Sequence, residues 1–203
     1  MTADHLVIMF HGIGGSGAQL EPLAASWQRH LPKARFLTPD APYRTSYGGH
    51  QWFKVDGLQF DPVRVVEVQQ ALDRIIADAL KREGFADHLD RVAFVGVSQG
   101  AIVALDAVAS GRWKVGALVA FAGLLPLTSL STRDNTSQML LVHGTDDRTI
   151  PPIASTSAAR KLFDAGFSVE LEIEPNVGHT ISLTGAEKAL GFLQRTLAGS
   201  TTR

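Results

Sequence analysis

Short, nearly continuous apolar runs separated by helical patterns constrain this chain more than any other feature. Leu6 to Phe10, Arg35 to Leu37, Val92 to Val95, Ala117 to Phe121, Met139 to Val142 and Val169 to Ile173 read as strands. Runs that are apolar throughout, with no alternating wet face, belong in a parallel sheet covered on both sides. Asp61-Pro62 opens a helix whose apolar positions Val65, Val68, Leu72, Ile75 and Ala79 recur at three and four, and Gly84 closes it. Ile153 to Ala165 ends at Gly166, and Thr184-Gly185-Ala186-Glu187 reads as a capping box for a last helix carrying Leu190 and Leu193. This alternation predicts an α/β fold, a mostly parallel sheet of about six or seven strands with helices on both faces. The 203 residues fit a single domain, 1–203, large enough to bury about 70% of the unfolded surface. Only segment 41–60 breaks the rhythm. It is rich in Pro, Gly, Tyr and Trp without periodicity, and loops of that length are usually functional.

In an open α/β sheet, ligands bind beyond the carboxyl ends of the strands, so the residues that follow each strand carry the chemistry. Gly96-Val97-Ser98-Gln99-Gly100 follows one strand and leads into the helical stretch Ala101 to Ala109. A serine flanked by glycines at such a junction is pushed out of the sheet on a tight turn, as a nucleophile requires. The pattern alone arises by chance in roughly one such chain in ten, so its partners decide its meaning. His11-Gly12-Ile13-Gly14-Gly15-Ser16-Gly17 follows the first strand. An acyl-transfer site needs two backbone N–H groups aimed at the developing oxyanion, and the expected donors are Gln99, next to the serine, and Ile13 in this loop.

His143-Gly144-Thr145-Asp146-Asp147 follows a later strand, and spacing alone does not choose between its two carboxylates. Pro175-Asn176-Val177-Gly178-His179 follows the last strand. A lone loop histidine is usually just exposed, and Asp and Gly favour turns in any case. The order Ser98, Asp146 or Asp147, His179 is nevertheless the one expected of a Ser–Asp–His triad on an α/β-hydrolase sheet. His179 would take the proton of Ser98, while the aspartate would fix the imidazole tautomer and stabilise imidazolium.

The same glycine-rich loop also spells G-x-G-x-x-G after a strand. Asp40, however, lies 28 residues beyond Gly12 rather than about 20, and the nicotinamide reading leaves Ser98 unused. The net charge of −1 gives no reason to expect nucleic acid, and no apolar run approaches a membrane span. Leu6 to Phe10 lacks the basic flank and length of a signal peptide. There is no cysteine, which excludes disulfides and thiolate chemistry. The default location is the cytoplasm. No His, Asp or Glu cluster has metal-ligand spacing, so neither metal nor cofactor is expected.

These motifs resemble the carboxylesterase/phospholipase family of α/β-hydrolases that includes acyl-protein thioesterases. The likeness runs in order through HGIGGSG, Asp40 to Pro42, Gln51-Trp52-Phe53, GVSQGA, Leu124 to Leu127 and HGTDD followed by Ile150-Pro151. The resemblance implies an α/β-hydrolase fold without a large cap domain. It places Asp147 rather than Asp146 on the catalytic acid, His179 on the base, and Ile13 and Gln99 on the oxyanion donors. Trp52 and Phe53 either line the acyl pocket or anchor the 41–60 loop, and Leu124 and Leu125 either form an acyl wall or belong to the core. Thr145 stands where the family has an acid, Val97 where it has an aromatic, and Ala101 where it has a second glycine. His11 and His143 read as structural hydrogen bonders, and Asp106 has no assigned role. The N-terminal antiparallel strands of many relatives are expected to be shortened or missing, which leaves monomer and homodimer both open.

The expected activity is serine esterase chemistry through an acyl-enzyme on Ser98, on carboxylic esters, thioesters or lysophospholipids with short to medium apolar acyl groups. The expected partner is a small ester or thioester, without nucleic acid or an integral membrane. A hydrolase-fold binding protein without catalysis is the alternative from another class, and a nicotinamide enzyme the more distant one.

Overall fold

A computed structural model of the chain describes residues 3–55, 62–126, 129–132 and 135–199. Eight strands appear among them, β1 (His5–Phe10), β2 (Ala34–Leu37), β3 (Tyr43–Arg44), β4 (His50–Gln51), β5 (Val92–Val97), β6 (Ala117–Phe121), β7 (Gln138–Gly144) and β8 (Ser168–Glu174). The α-helices are α1 (Glu21–Gln28), α2 (Pro62–Glu83), α3 (Gln99–Ala109), α4 (Ile153–Asp164) and α5 (Leu183–Gly199). Six strands form one sheet in the order β2-β1-β5-β6-β7-β8, and every pairing in it is parallel.

The two-residue strand period sorts the core into two layers. Leu6, Ile8, Phe10 and Phe94 pack on one face with residues of α2, α3 and α4. Val7, Met9, Val95 and Val119 pack on the other with α1 and α5. Helix α3 is buried along its whole length, as an all-round apolar helix must be. The edge strand β8 carries Glu170 and Glu172, paired with Arg195 and Lys188 of α5, and such charges keep an exposed edge from pairing with another chain.

The sheet turns back on itself between β1 and β5, because the chain runs from β1 out to β2 and then returns to the other side of β1. A crevice opens at such a switch point, and here it lies between the His11–Gly12 turn and Ser98.

Two expectations are corrected. Segment 41–60 is not wholly irregular, since β3 and β4 pair antiparallel as a small hairpin; two-residue strands are too short to show a period. Asp61 and residues 56–60 lie outside the described residues, as does Leu127. The capping box at Thr184 is displaced as well. Helix α5 starts at Leu183, and its capping oxygen is that of Ser182, which accepts the Gly185 N–H at 2.8 Å. Ser182 in turn donates to the buried Glu174 carboxylate at the end of β8, a partner that local sequence does not reveal.

Candidate active site

The serine turn is built by close backbone approach. Ser98 has φ 55° and ψ −121°, a region that costs a non-glycine residue on the order of 1–3 kcal/mol. The surrounding chain enforces it. A Cβ on Gly96 would lie 2.5 Å from the Gly100 carbonyl oxygen, and one on Gly100 would lie 2.1 Å from that of Phe10. Strand and helix can close this tightly only with hydrogen at both positions. The Ser98 N–H donates to the Phe121 carbonyl at 2.9 Å, which ties the turn to β6. Ala101, where the resembling family has glycine, faces Gly123: a Cβ on Gly123 would fall 2.7 Å from the Ala101 Cβ. The methyl group gained on one side is accommodated by the one absent from the other.

The structure brings the three separated polar residues together. His179 Nε2 lies 2.8 Å from Ser98 Oγ, and His179 Nδ1 lies 2.7 Å from Asp147 Oδ2. A carboxylate can only accept, so Nδ1 carries the hydrogen and Nε2 offers its lone pair to the serine hydroxyl. Asp146 is exposed and takes a hydrogen bond from the Thr145 hydroxyl, so it is Asp147 that reaches the imidazole. Asp147 Oδ1 accepts the N–H groups of Thr149 and Ile150, each at 2.9 Å. Burial pushes the Asp147 carboxyl up, but the bonds from His179, Ile150 and Thr149 outweigh it and hold the group below the ordinary carboxylate value.

The glycine-rich loop runs beside the hydroxyl. A Cβ on Gly12 would come within 3.3 Å of Ser98 Cβ. The loop is stapled just after Ile13, with the Gly14 N–H donating to His50 O and the His50 N–H to Gly15 O. Neither the Ile13 N–H nor the Gln99 N–H has an acceptor among the described residues. The latter is one of the free donors at the start of α3, where the helix dipole also favours negative charge. His11 sets the course of the loop. Its Nε2 accepts the Ala41 N–H at 2.9 Å, so its Nδ1 carries the hydrogen and donates to Gly12 O at 2.7 Å. Burial lowers the His11 pKa and keeps this neutral form. Asp40 is engaged by the Gly17 N–H at 2.8 Å instead of standing free for a ribose.

Of the two readings open for Trp52, its contacts fit the loop anchor. It is fully buried against Phe10, and its Nε1–H donates to His11 O at 2.9 Å. The Gln99 side chain completes the attachment, accepting the Trp52 N–H and donating to Phe53 O, both at 2.7 Å. Sequence reasoning assigned Gln99 a role for its backbone alone. Phe53 does line a small apolar pocket, with Val68, Leu72, Ile102, Val103 and Pro126, and Gln69 and Asp106 also border it. Leu124 and Leu125 are partly buried against the core beside it. Asp106 is buried and paired with Arg112 at 2.9 Å.

His143 also carries more than its motif suggested. Its ring is buried, with Nε2 3.1 Å from Asp147 Oδ2. The available signal was a polar residue at the end of the apolar run Met139 to Val142, where burial forces it to find a partner.

The arrangement joins a hydroxyl, an imidazole backed by a carboxylate and two N–H groups without an acceptor among the described residues. Comparison with known proteins identifies the family of the chain. The model of the phospholipase/carboxylesterase family matches residues 1–197. The chain is 28% identical to carboxylesterase SOBER1 of Arabidopsis thaliana, over 98% of this chain and 93% of that protein. It is 27% identical to esterase YpfH of Escherichia coli, over 96% and 84%, and 26% identical to acyl-protein thioesterase 1 of Eremothecium gossypii, over 96% and 89%. The crystal structure of esterase PE8 superposes with a TM-score of 0.86 at 31% identity, covering 97% of this chain and 94% of that one.

Proposed function

Because the chain belongs to the phospholipase/carboxylesterase family, we propose that it is a serine esterase working through an acyl-enzyme on Ser98. The observation that carries the reading is the unbroken hydrogen-bond chain from Asp147 through His179 to Ser98. His179 Nε2 takes the hydroxyl proton as Ser98 Oγ attacks the ester carbonyl, and Asp147 stabilises the imidazolium. The N–H groups of Ile13 and Gln99 receive the oxyanion, and preorganised donors of this kind are worth roughly 10²–10³ in rate each. Collapse breaks the ester bond, and His179 returns the proton to the leaving alcohol. Water then repeats the sequence on the acyl-enzyme, releasing the acid and restoring Ser98. A thioester enters by the same steps with a thiol as leaving group.

The apolar side chains of Phe53, Ile102, Val103 and Pro126 on and beside α3 support an apolar acyl group. Ile102 sits one turn beyond Ser98, and Asp106 lies one turn further along the helix. Eight residues of helix span about 12 Å, and a longer chain would drive methylenes against a buried carboxylate. Nitrophenyl esters of increasing chain length, assayed beside matched thioesters and a fluorophosphonate probe, test both parts. Wild type should be labelled and should lose kcat/KM for chains longer than this run, while Ser98→Ala should be unlabelled and inactive. Labelling or turnover that survives Ser98→Ala overturns the assignment.

A further inference from the structure

A second imidazole lies against the Asp147 carboxylate and bonds Ile150, one of the residues whose N–H holds it. His143 Nε2 lies 2.7 Å from Ile150 O, an acceptor, so this nitrogen carries the hydrogen and donates it there, while the same nitrogen sits 3.1 Å from Asp147 Oδ2. Oδ2 is also the oxygen that receives the His179 Nδ1–H. On its other side, His143 Nδ1 lies 2.6 Å from Ser155 Oγ. The alternative acceptor for the Ser155 hydroxyl, Gly123 O, is 3.5 Å away, so the hydroxyl hydrogen points at Nδ1 and fixes the ring's rotation. Both His143 and Asp147 side chains are fully buried, and Ser155 is 3% exposed. The acid accepts from three donors, Thr149 N–H, Ile150 N–H and His179, and the His143 ring nitrogen lies against the oxygen that His179 uses.

We propose that His143, oriented by Ser155, is a positioning residue for the reaction. It fixes Ile150, whose N–H holds Asp147 Oδ1, and sets the polar edge of its ring 3.1 Å from Oδ2, the oxygen the base uses. The inference rests on the reading of Ser98, His179 and Asp147 as the catalytic set. Without His143, Asp147 has one restraint fewer, through Ile150, and its oxygen, with no polar edge beside it, binds imidazolium more tightly.

The test compares His143→Phe, which keeps ring volume and removes both nitrogens, with His143→Gln, which restores a donor near Nε2. His143→Phe should lower kcat by roughly ten- to a hundredfold, the scale of a small misplacement of reacting groups, with KM changed by less than about twofold. The acid limb of its pH–rate profile should move to higher pH, and the downfield proton resonance of His179 Nδ1–H should shift. His143→Gln should recover most of kcat. A folded His143→Phe with wild-type kcat and an unmoved acid limb overturns the proposal. Should that variant fail to fold, Ser155→Ala carries the test: a lowered kcat with a shifted limb supports the role, and wild-type values for both overturn it. Ser98→Ala in the same assay separates the two readings. If it stays active, the catalytic set itself is wrong; if it is dead while His143→Phe is unimpaired, only the positioning role falls.

Discussion

Ser98 and Gln99 are neighbours with opposite demands. Ser98 needs an exposed hydroxyl on a strained backbone, whereas the Gln99 side chain is 3% exposed and fully paired. The pairing reaches across the crevice, so one residue presents a backbone donor beside the serine and also clamps the Trp52–Phe53 segment to α3. Gln99→Ala leaves the buried Trp52 N–H and Phe53 carbonyl without partners. The expected cost is about 1–3 kcal/mol, read as a lower urea midpoint, and kcat should fall with it because the segment facing the serine loosens. A stability unchanged within a few tenths of a kcal/mol would show that the clamp is unimportant.

The loops after β7 and β8 behave as one element. The Thr145 N–H donates to Glu174 O, the Asp146 N–H to Val177 O, and the Asn176 N–H to the Thr145 hydroxyl. A Cβ on Gly144 would lie 2.0 Å from Val177 O, so the two loops touch backbone to backbone. Thr145, an acid in the resembling family, here supplies a neutral acceptor for the loop that carries His179. Ser182 closes that loop by capping α5 and holding Glu174. Ser182→Ala therefore removes a cap and leaves a buried carboxylate short of a donor. A loss of about 1–2 kcal/mol is expected in thermal unfolding, with kcat reduced more than KM because His179 is less firmly placed.

At the scale of the whole molecule, stability should depend on pH through its buried histidines. Burial lowers the pKa of both His5 and His11 below the ordinary 6.5. The unfolded chain then binds protons before the folded one does, so their contribution is present above about pH 6.5 and lost as pH falls through the lower folded values. Asp147, held below 3.8, adds a second loss of the same sign at more acid pH. Melting temperatures recorded from about pH 8 to about pH 3 should be level at first and then fall in these two windows; a midpoint that rises between pH 7 and 5 would contradict the assignment of neutral, buried His5 and His11. The sequence by itself determined the sheet, because continuous apolar runs such as Val92 to Val95 and Ala117 to Phe121 have few other ways to leave water. It also indicated the serine turn, because the glycines at 96 and 100 flank a serine where strand and helix must close tightly, and with the strand order it indicated which loops would meet. Spacing left Asp146 and Asp147 open and the family resemblance pointed to Asp147; only the tertiary structure decided that Trp52 is an anchor, that Ser182 caps α5, and that His143 and the Gln99 side chain belong to the site. Burial and backbone sterics act along the chain and leave a periodic trace in it. A hydrogen bond between side chains that folding brings together, from Ser182–Glu174 at 8 residues apart to His179–Ser98 at 81, depends on how strands and loops pack, to an accuracy of a few tenths of an ångström, and a linear pattern has no means of recording that.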